Sequence, residues 1–155
     1  MNELASAELR NGLSIREVVR EDLPALIKIE RQVSPFPWSA RQFADSIQSH
    51  SGYVLLNGNR IIGYLFFQQI LDQAELLNIA VQSSFQGEGL GAYLLKLCVD
   101  MLSDSAVRLH LEVRASNFSA IGLYLKTGFN QVGQRRAYYR TDCAREDALL
   151  MVYDF

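Results

Sequence analysis

No stretch of the 155-residue chain strings together the ~18 consecutive apolar residues of a membrane-crossing helix. A membrane partner is therefore not expected. Cysteine is scarce: Cys98 sits in a leucine-rich helical stretch and reads as a small core residue, and Cys143 lies in the polar run RTDCARED. Neither belongs to a metal-ligand spacing or a disulfide framework, so no metal is expected and a reducing cytoplasm is the expected setting. Excess positive charge is absent too. The net charge is −2, which lacks the basic footprint of direct nucleic-acid binding and would instead suit a basic peptide. The opening residues MNELASAELRNG carry no apolar run, unlike a signal peptide. Repeats, low-complexity tracts and linkers are missing as well. What is present is ordinary for a soluble globular protein, with 49% hydrophobic and 21% charged residues. The length suits one domain over 1–155, large enough to bury ~70% of its unfolded surface without staples.

Periodicity divides the chain into strands and helices. LSIREVV (Leu13–Val19) alternates as a strand. REDLPALIKIERQV follows as a helix, with Asp22 as expected cap, Pro24 in the first turn and a stripe of Leu23, Leu26, Ile27 and Ile29. The prolines of SPFPWS break it, and Ser39 caps a second helix to about Ser49. GYVLLNGNRIIGYLFFQQI reads as a hairpin around Asn57–Gly58. AELLNIAVQ is a largely apolar strand, covered on both faces. Then come a helix from Glu88 to about Ser103, the strand AVRLHLEVR, the helix NFSAIGLYLKTG, and the closing strands FNQVGQRRAYYR and DALLMVYDF. The expected fold is α/β: a mixed, mostly antiparallel sheet flanked by helices, in the order β-α-α-β-β-β-α-β-α-β-β.

The richest signal is AVQSSFQGEGLGAYLLKLCVD, where Gly87, Gly89 and Gly91 crowd together just before a helix. A G-x-x-x-x-G-K-[ST] phosphate loop is excluded, because no Lys-Ser/Thr pair follows. Gly87, Gly89 and Ala92 do satisfy the dinucleotide pattern G-x-G-x-x-G/A, and Glu112 lies ~20 residues on, where a ribose-binding acid belongs. Against that, Gln82–Gln86 separate the strand from Gly87, where a dinucleotide turn is tight, and there is no second mononucleotide half. A third possibility is a coenzyme A pyrophosphate cradle made of bare backbone N–H groups and a helix N-terminus. A fourth is a plain glycine-rich turn. The glycines alone leave the choice open.

QGEGLG has the form Q-x-x-G-x-G, and here the chain resembles the GNAT acyltransferases, whose acetyl-CoA loop reads [Q/R]-x-x-G-x-[G/A] between a strand and a helix. The likeness spans nearly the whole chain. Within the family it is similar to the RimI branch, the ribosomal-protein-alanine N-acetyltransferases, through FPWS, LLNIAV, LEVRASN, LYLKTGF, YY and REDALLM. The resemblance implies acetyl-CoA as co-substrate, held by Ile79, Ala80, Val81, Gly87, Glu88, Gly89, Leu90, Gly91, Ala92 and Asn117. It also implies a peptide substrate beginning with alanine, on the eighteenth protein of the small ribosomal subunit. One departure stands out: loops of this branch often carry basic residues where this chain has Gly87 and Ala92. The grip on coenzyme A is then expected to be weaker, with Lys96 as an extra candidate cation.

Amide formation requires that the amine lose its proton, that the oxyanion be held and that the thiolate leave. An α-amine, at pKa ~7.7–8.0, is far easier to deprotonate than lysine at ~10.4. In VRLHLEVR, Val107, Leu109, Leu111 and Val113 alternate with Arg108, His110, Glu112 and Arg114, so a polar face borders either a wet cleft or open solvent. His110 and Glu75 compete with Glu112 as base, and the resemblance assigns the role to Glu112. Asn117, Ala120, Ile121 and Tyr124 share one helix face. Tyr124 is either a core tyrosine or a proton donor, and the resemblance implies the donor. The oxyanion would be held by backbone N–H groups of Asn78–Val81. Phe36 and Trp38 in SPFPWS, and Tyr138 and Tyr139 in RRAYY, either frame a peptide groove or, for Phe36 and Trp38, plug the sheet against its first helices. The expectation is direct attack of the amine on the thioester, with both cysteines dispensable. The alternatives are another peptide N-terminus, a lysine or small amine as acceptor, a coenzyme A sensor without catalysis, and a nicotinamide-dependent oxidoreductase.

Overall fold

The computed structural model describes residues 8–9, 12–141 and 144–155, so Cys143 lies outside the described residues. Alternating and apolar runs become strands β1 (Glu8–Leu9), β2 (Leu13–Glu17), β3 (Ser51–Asn57), β4 (Arg60–Ile70), β5 (Gln73–Val81), β6 (Arg108–Arg114), β7 (Asn130–Arg140) and β8 (Arg145–Asp154). The 3.6-period segments become helices α1 (Leu23–Val33), α2 (Ala40–Ser49), α3 (Leu90–Leu102) and α4 (Phe118–Thr127). This is the order expected from sequence, preceded by the two-residue strand β1. Among the described residues no helix is long and apolar enough to cross a membrane. The chain forms two compact units, Met1–Gln68 with Leu77–Met101, and Gln69–Leu76 with Leu102–Phe155.

In the first unit β1, β2, β3 and β4 pair antiparallel in sequence order. Leu26 and Ile29 of α1, Phe43 of α2, Val54, Tyr64 and Phe66 form its buried core. Phe43 meets Tyr64 edge-on at 5.5 Å. At the start of α2 the Ser39 Oγ accepts from the Gln42 N–H, and the Gln42 side chain accepts from the Ser39 N–H, a reciprocal capping box. The start of α1 differs from expectation. Asp22 occupies the cap position but makes no cap bond to α1. Its carboxylate instead accepts from the Val19 N–H at 2.8 Å and from the Arg16 guanidinium at 2.7 and 2.8 Å. Burial works against the Asp22 charge, but the Arg16 hydrogen bonds, the Val19 N–H and the Arg16 charge together outweigh it and hold the carboxyl below its ordinary range.

In the second unit the parallel ladder of β5 and β6 runs from Gln73↔Arg108 to Glu75↔His110 and stops there. On its other edge β6 pairs antiparallel with β8 from Arg108 to Arg114, and β7 pairs antiparallel with β8. The sheet is thus mixed and mostly antiparallel. Strand β6 alternates as its sequence requires: Leu109, Leu111 and Val113 are buried, and Arg108, His110, Glu112 and Arg114 are partly open. Helix α4 places Tyr124 against Phe129, with ring centroids 5.7 Å apart.

Candidate active site

The glycine loop belongs to the first unit. After β5, a short 3-10 turn at Ser83–Phe85 leads to Gln86, whose side chain donates to the Val81 carbonyl at 3.0 Å. Gly87 and Gly89 then adopt φ of +82° and +81°. Side chains rarely tolerate this region, and it delays the helix from the expected Glu88 to Leu90. No heavy atom would lie within 4 Å of a Cβ added at either glycine, so the backbone here faces open space. The first backbone bond at this end of α3, Tyr93 N–H to Gly89 C=O at 3.0 Å, leaves the N–H groups of Leu90, Gly91 and Ala92 at the helix mouth. Exposed Glu88 separates the two glycines. A pyrophosphate fits such a cradle: bare amides, the positive end of a 13-residue helix and no intruding side chain. Lys96, the extra cation considered from sequence, is ion-paired with Asp100 at 2.9 Å one turn along an exposed helix face. Immediately before the loop, Ala80 and Val81 are buried and Ile79 is partly so.

The catalytic candidates belong to the second unit. Glu112 lies on the polar face of β6, its side chain 26% exposed, with Oε1 3.2 Å from Arg135 Nη2 of β7. His110, the rival base on that face, is engaged by Gln73 at 2.8 Å. Tyr124 is 7% exposed. Burial, and secondarily Tyr139, push its hydroxyl up to about 12, and no hydrogen bond from a described residue holds it. Tyr139 is raised by burial first and by the Glu112 charge second. Tyr139 is therefore within electrostatic reach of both Glu112 and Tyr124. Asn117 is the N-cap of α4, its Oδ1 accepting from the Ala120 N–H at 3.2 Å. This leaves its amide NH2 as the group available to a ligand.

Tyr138 and Tyr139 are set by an irregularity in β7. The ladder with β8 shifts between Arg135 and Tyr139, where Ala137 has φ of +50° and donates its N–H to Asp147 at 2.9 Å. Beyond the bulge, Arg114 lies over the Tyr139 ring at 4.3 Å and Arg135 over Tyr138 at 5.0 Å. Tyr138 is 46% exposed. Arg114 also pairs with Glu146 at 3.1 Å. Of the two aromatics in SPFPWS, Trp38 packs on Phe43 and Phe66, at 5.2 and 6.0 Å, while Phe36 is 36% exposed. The plug reading therefore holds for the Trp38 ring and not for Phe36. Cys98 is buried, and burial pushes its thiol up to about 12, which makes it a poor nucleophile. Among the described residues no group of three or more His, Cys, Asp or Glu could hold a metal ion.

A family model described as "Acetyltransferase (GNAT) family" matches residues 15–129. The chain belongs to the GNAT family. It is 41% identical over 140 residues to the [ribosomal protein bS18]-alanine N-acetyltransferase of Escherichia coli, covering 89% of this chain and 95% of that one. It is 32% identical to a putative enzyme of the same name from Bacillus subtilis, over 92% and 96% of the two chains. The crystal structure of the ribosomal-protein-S18-alanine N-acetyltransferase from Escherichia coli superposes with a TM-score of 0.86 at 39% identity, over 92% of this chain and 93% of that one. Arabidopsis thaliana NAA60 in complex with acetyl-CoA shares the fold, with a TM-score of 0.84 at 18% identity over 92% and 98% of the chains.

Two features of this GNAT chain were not anticipated from its sequence. One is Arg135, which reaches Glu112 across the sheet and carries no local signal. The other is Glu30 of α1, only 4% exposed, which accepts hydrogen bonds from Tyr64, the Trp38 backbone and Asn78. Burial of Tyr64, followed by the Glu30 charge, pushes the Tyr64 hydroxyl far above its ordinary value. Glu30 did leave a trace: it stands four residues after Leu26 and seven after Leu23, an acid on the apolar stripe.

Proposed function

We propose that the protein transfers an acetyl group from acetyl-CoA to the N-terminal alanine of ribosomal protein bS18, with residues 1–155 acting as one catalytic domain in the cytoplasm. The observation that carries this reading is the presence, within one unit, of a partly exposed carboxylate, Glu112, and a buried phenol, Tyr124, each within electrostatic reach of Tyr139. The relatives that act on bS18 share both the fold and about two-fifths of the sequence.

In the proposed reaction the backbone amides of Gly87–Ala92 hold the pyrophosphate, and Ile79–Val81 and Asn117 bind along the coenzyme. Glu112, directly or through water, takes a proton from the α-amine. The neutral amine nitrogen then bonds to the thioester carbon, the C–S bond breaks with its electron pair going to sulfur, and the second proton lost by nitrogen passes to that sulfur, giving amide and free thiol. A phenol near 12 is a weaker acid than a thiol near ~8.5. Tyr124 therefore stabilises the departing sulfur chiefly as a hydrogen-bond donor. Phe36, Trp38, Tyr138 and Tyr139 shape the peptide's path, with the Trp38 ring acting as a floor from the core side.

Mass spectrometry of a peptide panel that varies the first residue and blocks either the α-amine or the lysines tests the assignment. The expected product is a singly acetylated α-amine on alanine-initiated bS18 peptides. Acetylation confined to lysine amines, or none with acetyl-CoA, would overturn it.

A further inference from the structure

Glu30 is an acid where the core needs none. A buried carboxyl group is unfavourable unless its oxygens are matched by donors, and an apolar side chain of similar size would pack α1 at least as well. All of its donors are in place, and they divide by oxygen. Oε1 accepts from the Tyr64 hydroxyl of β4 at 2.8 Å. Oε2 accepts from the Trp38 backbone N–H at 3.0 Å and from the Asn78 side-chain amide at 3.0 Å.

The Oε2 partners are the informative ones. Trp38 closes the loop that holds Phe36 toward solvent between Pro35 and Pro37, and Asn78 immediately precedes Ile79–Val81 on β5. Tyr64 is fully buried in the core, where its hydroxyl also shares a hydrogen bond with the Asn78 side chain. One oxygen thus anchors to the core, while the other ties a substrate-side loop to the strand assigned to the coenzyme.

We propose that Glu30 is a positioning residue for acetyl transfer, its Oε2 fixing the 34–39 loop to Asn78 of β5 so that Phe36 and the bound peptide keep their place. This rests on the proposed transferase reading. Trp38 is the chain's only tryptophan, so its emission reports the loop independently of activity.

Three variants separate positioning from bulk stability. Glu30→Met keeps the volume and removes both acceptors. Glu30→Gln can set its amide oxygen at the Oε2 position and its NH2 toward the Tyr64 oxygen. Tyr64→Phe removes the Oε1 partner and the Tyr64–Asn78 hydrogen bond but leaves both Oε2 bonds. Glu30→Met is expected to raise the KM for the peptide roughly tenfold to 10²-fold, as misplacement of a positioning loop does. It should leave kcat much less affected and shift Trp38 emission to longer wavelength. Glu30→Gln and Tyr64→Phe should stay close to wild type in KM and emission, even where they lower Tm. If Glu30→Met fails to fold, Glu30→Asp, which withdraws the oxygens by one methylene, should show the same KM and emission changes. Wild-type KM and emission in the Met variant, or in the Asp variant used in its place, would overturn the proposal. So would a Tyr64→Phe protein that moves both readouts as far as Glu30→Met. A wild-type protein that acetylates no peptide would instead remove the transferase reading.

Discussion

Glu112 faces solvent on one side and the Arg135 guanidinium on the other, and this balance defines its chemistry. Arg135 is half exposed, so water screens the pair, and an incoming amine competes with a weak partner. Replacing Glu112 with Gln keeps the shape and removes the proton acceptor. Turnover should fall by ~10²–10⁴, the usual contribution of a positioned base, while coenzyme A affinity is retained. Steady-state kinetics beside isothermal titration would show the split. Tyr124→Phe should cost about 10² in kcat, the scale of one lost hydrogen bond to developing charge. The Phe variant should also lose part of the wild-type loss of stability in strong alkali, which can be followed by thermal melts. Burial raises the Tyr124 pKa to about 12, so the folded state binds that proton more tightly than the unfolded chain does. The stabilisation is complete below pH ~10 and is lost as pH rises from there toward about 12.

At the scale of elements, the glycine loop and the helix caps make separable predictions. Gly89→Ala meets no neighbouring atom, so its cost is conformational, ~1–2 kcal/mol for a non-glycine residue at φ of +81°. Calorimetry should find weaker coenzyme A binding along with a small drop in Tm. Ser39→Ala removes a reciprocal cap and should cost ~1 kcal/mol in denaturant unfolding with no effect on coenzyme binding. The elements themselves were largely legible because their signals are local. The alternation in RLHLEVR, the Ser39 box and the prolines of SPFPWS each act over a few residues. What escaped depends on distant partners. The expected cap Asp22 was diverted by Arg16 of β2, and Arg135 reaches Glu112 from a different strand. The bulge at Ala137 is sustained by Asp147 on β8. The start of α3 was misplaced by two residues because a glycine pair's φ values are not written in its identity.

At the scale of the whole molecule, acid should be as informative as alkali. Asp22 and Glu146 are both held below their ordinary range. Burial disfavours the Asp22 charge, but the Arg16 bonds and charge and the Val19 N–H together prevail. For Glu146, hydrogen bonds from Ser116 and Arg114 do the same. A carboxylate with a depressed folded pKa stabilises the fold above its unfolded value, near 4, and that contribution fades as pH falls through the folded value. Tm should hold steady through neutral pH and begin to fall below pH ~4, earlier than in an Asp22→Asn, Glu146→Gln protein measured against its own neutral value. The elements that carry the candidate site residues were legible through their order along the chain, a glycine loop, a polar-faced strand and a tyrosine-bearing helix following one another. The Glu30 network, which joins α1, the 34–39 loop, β4 and β5, was not, because only folding brings its donors together.

In the proposed reaction Glu112 takes the proton of an attacking α-amine. A single-turnover assay of wild type and Glu112→Gln, with acetyl-CoA pre-bound and an alanine-initiated bS18 peptide added, tests it most directly. The two proteins should reach equal acetyl-CoA occupancy, with a large loss of the acetyl-transfer rate in the variant at neutral pH. An unchanged rate in the variant, or a loss explained entirely by lost acetyl-CoA binding, would contradict it.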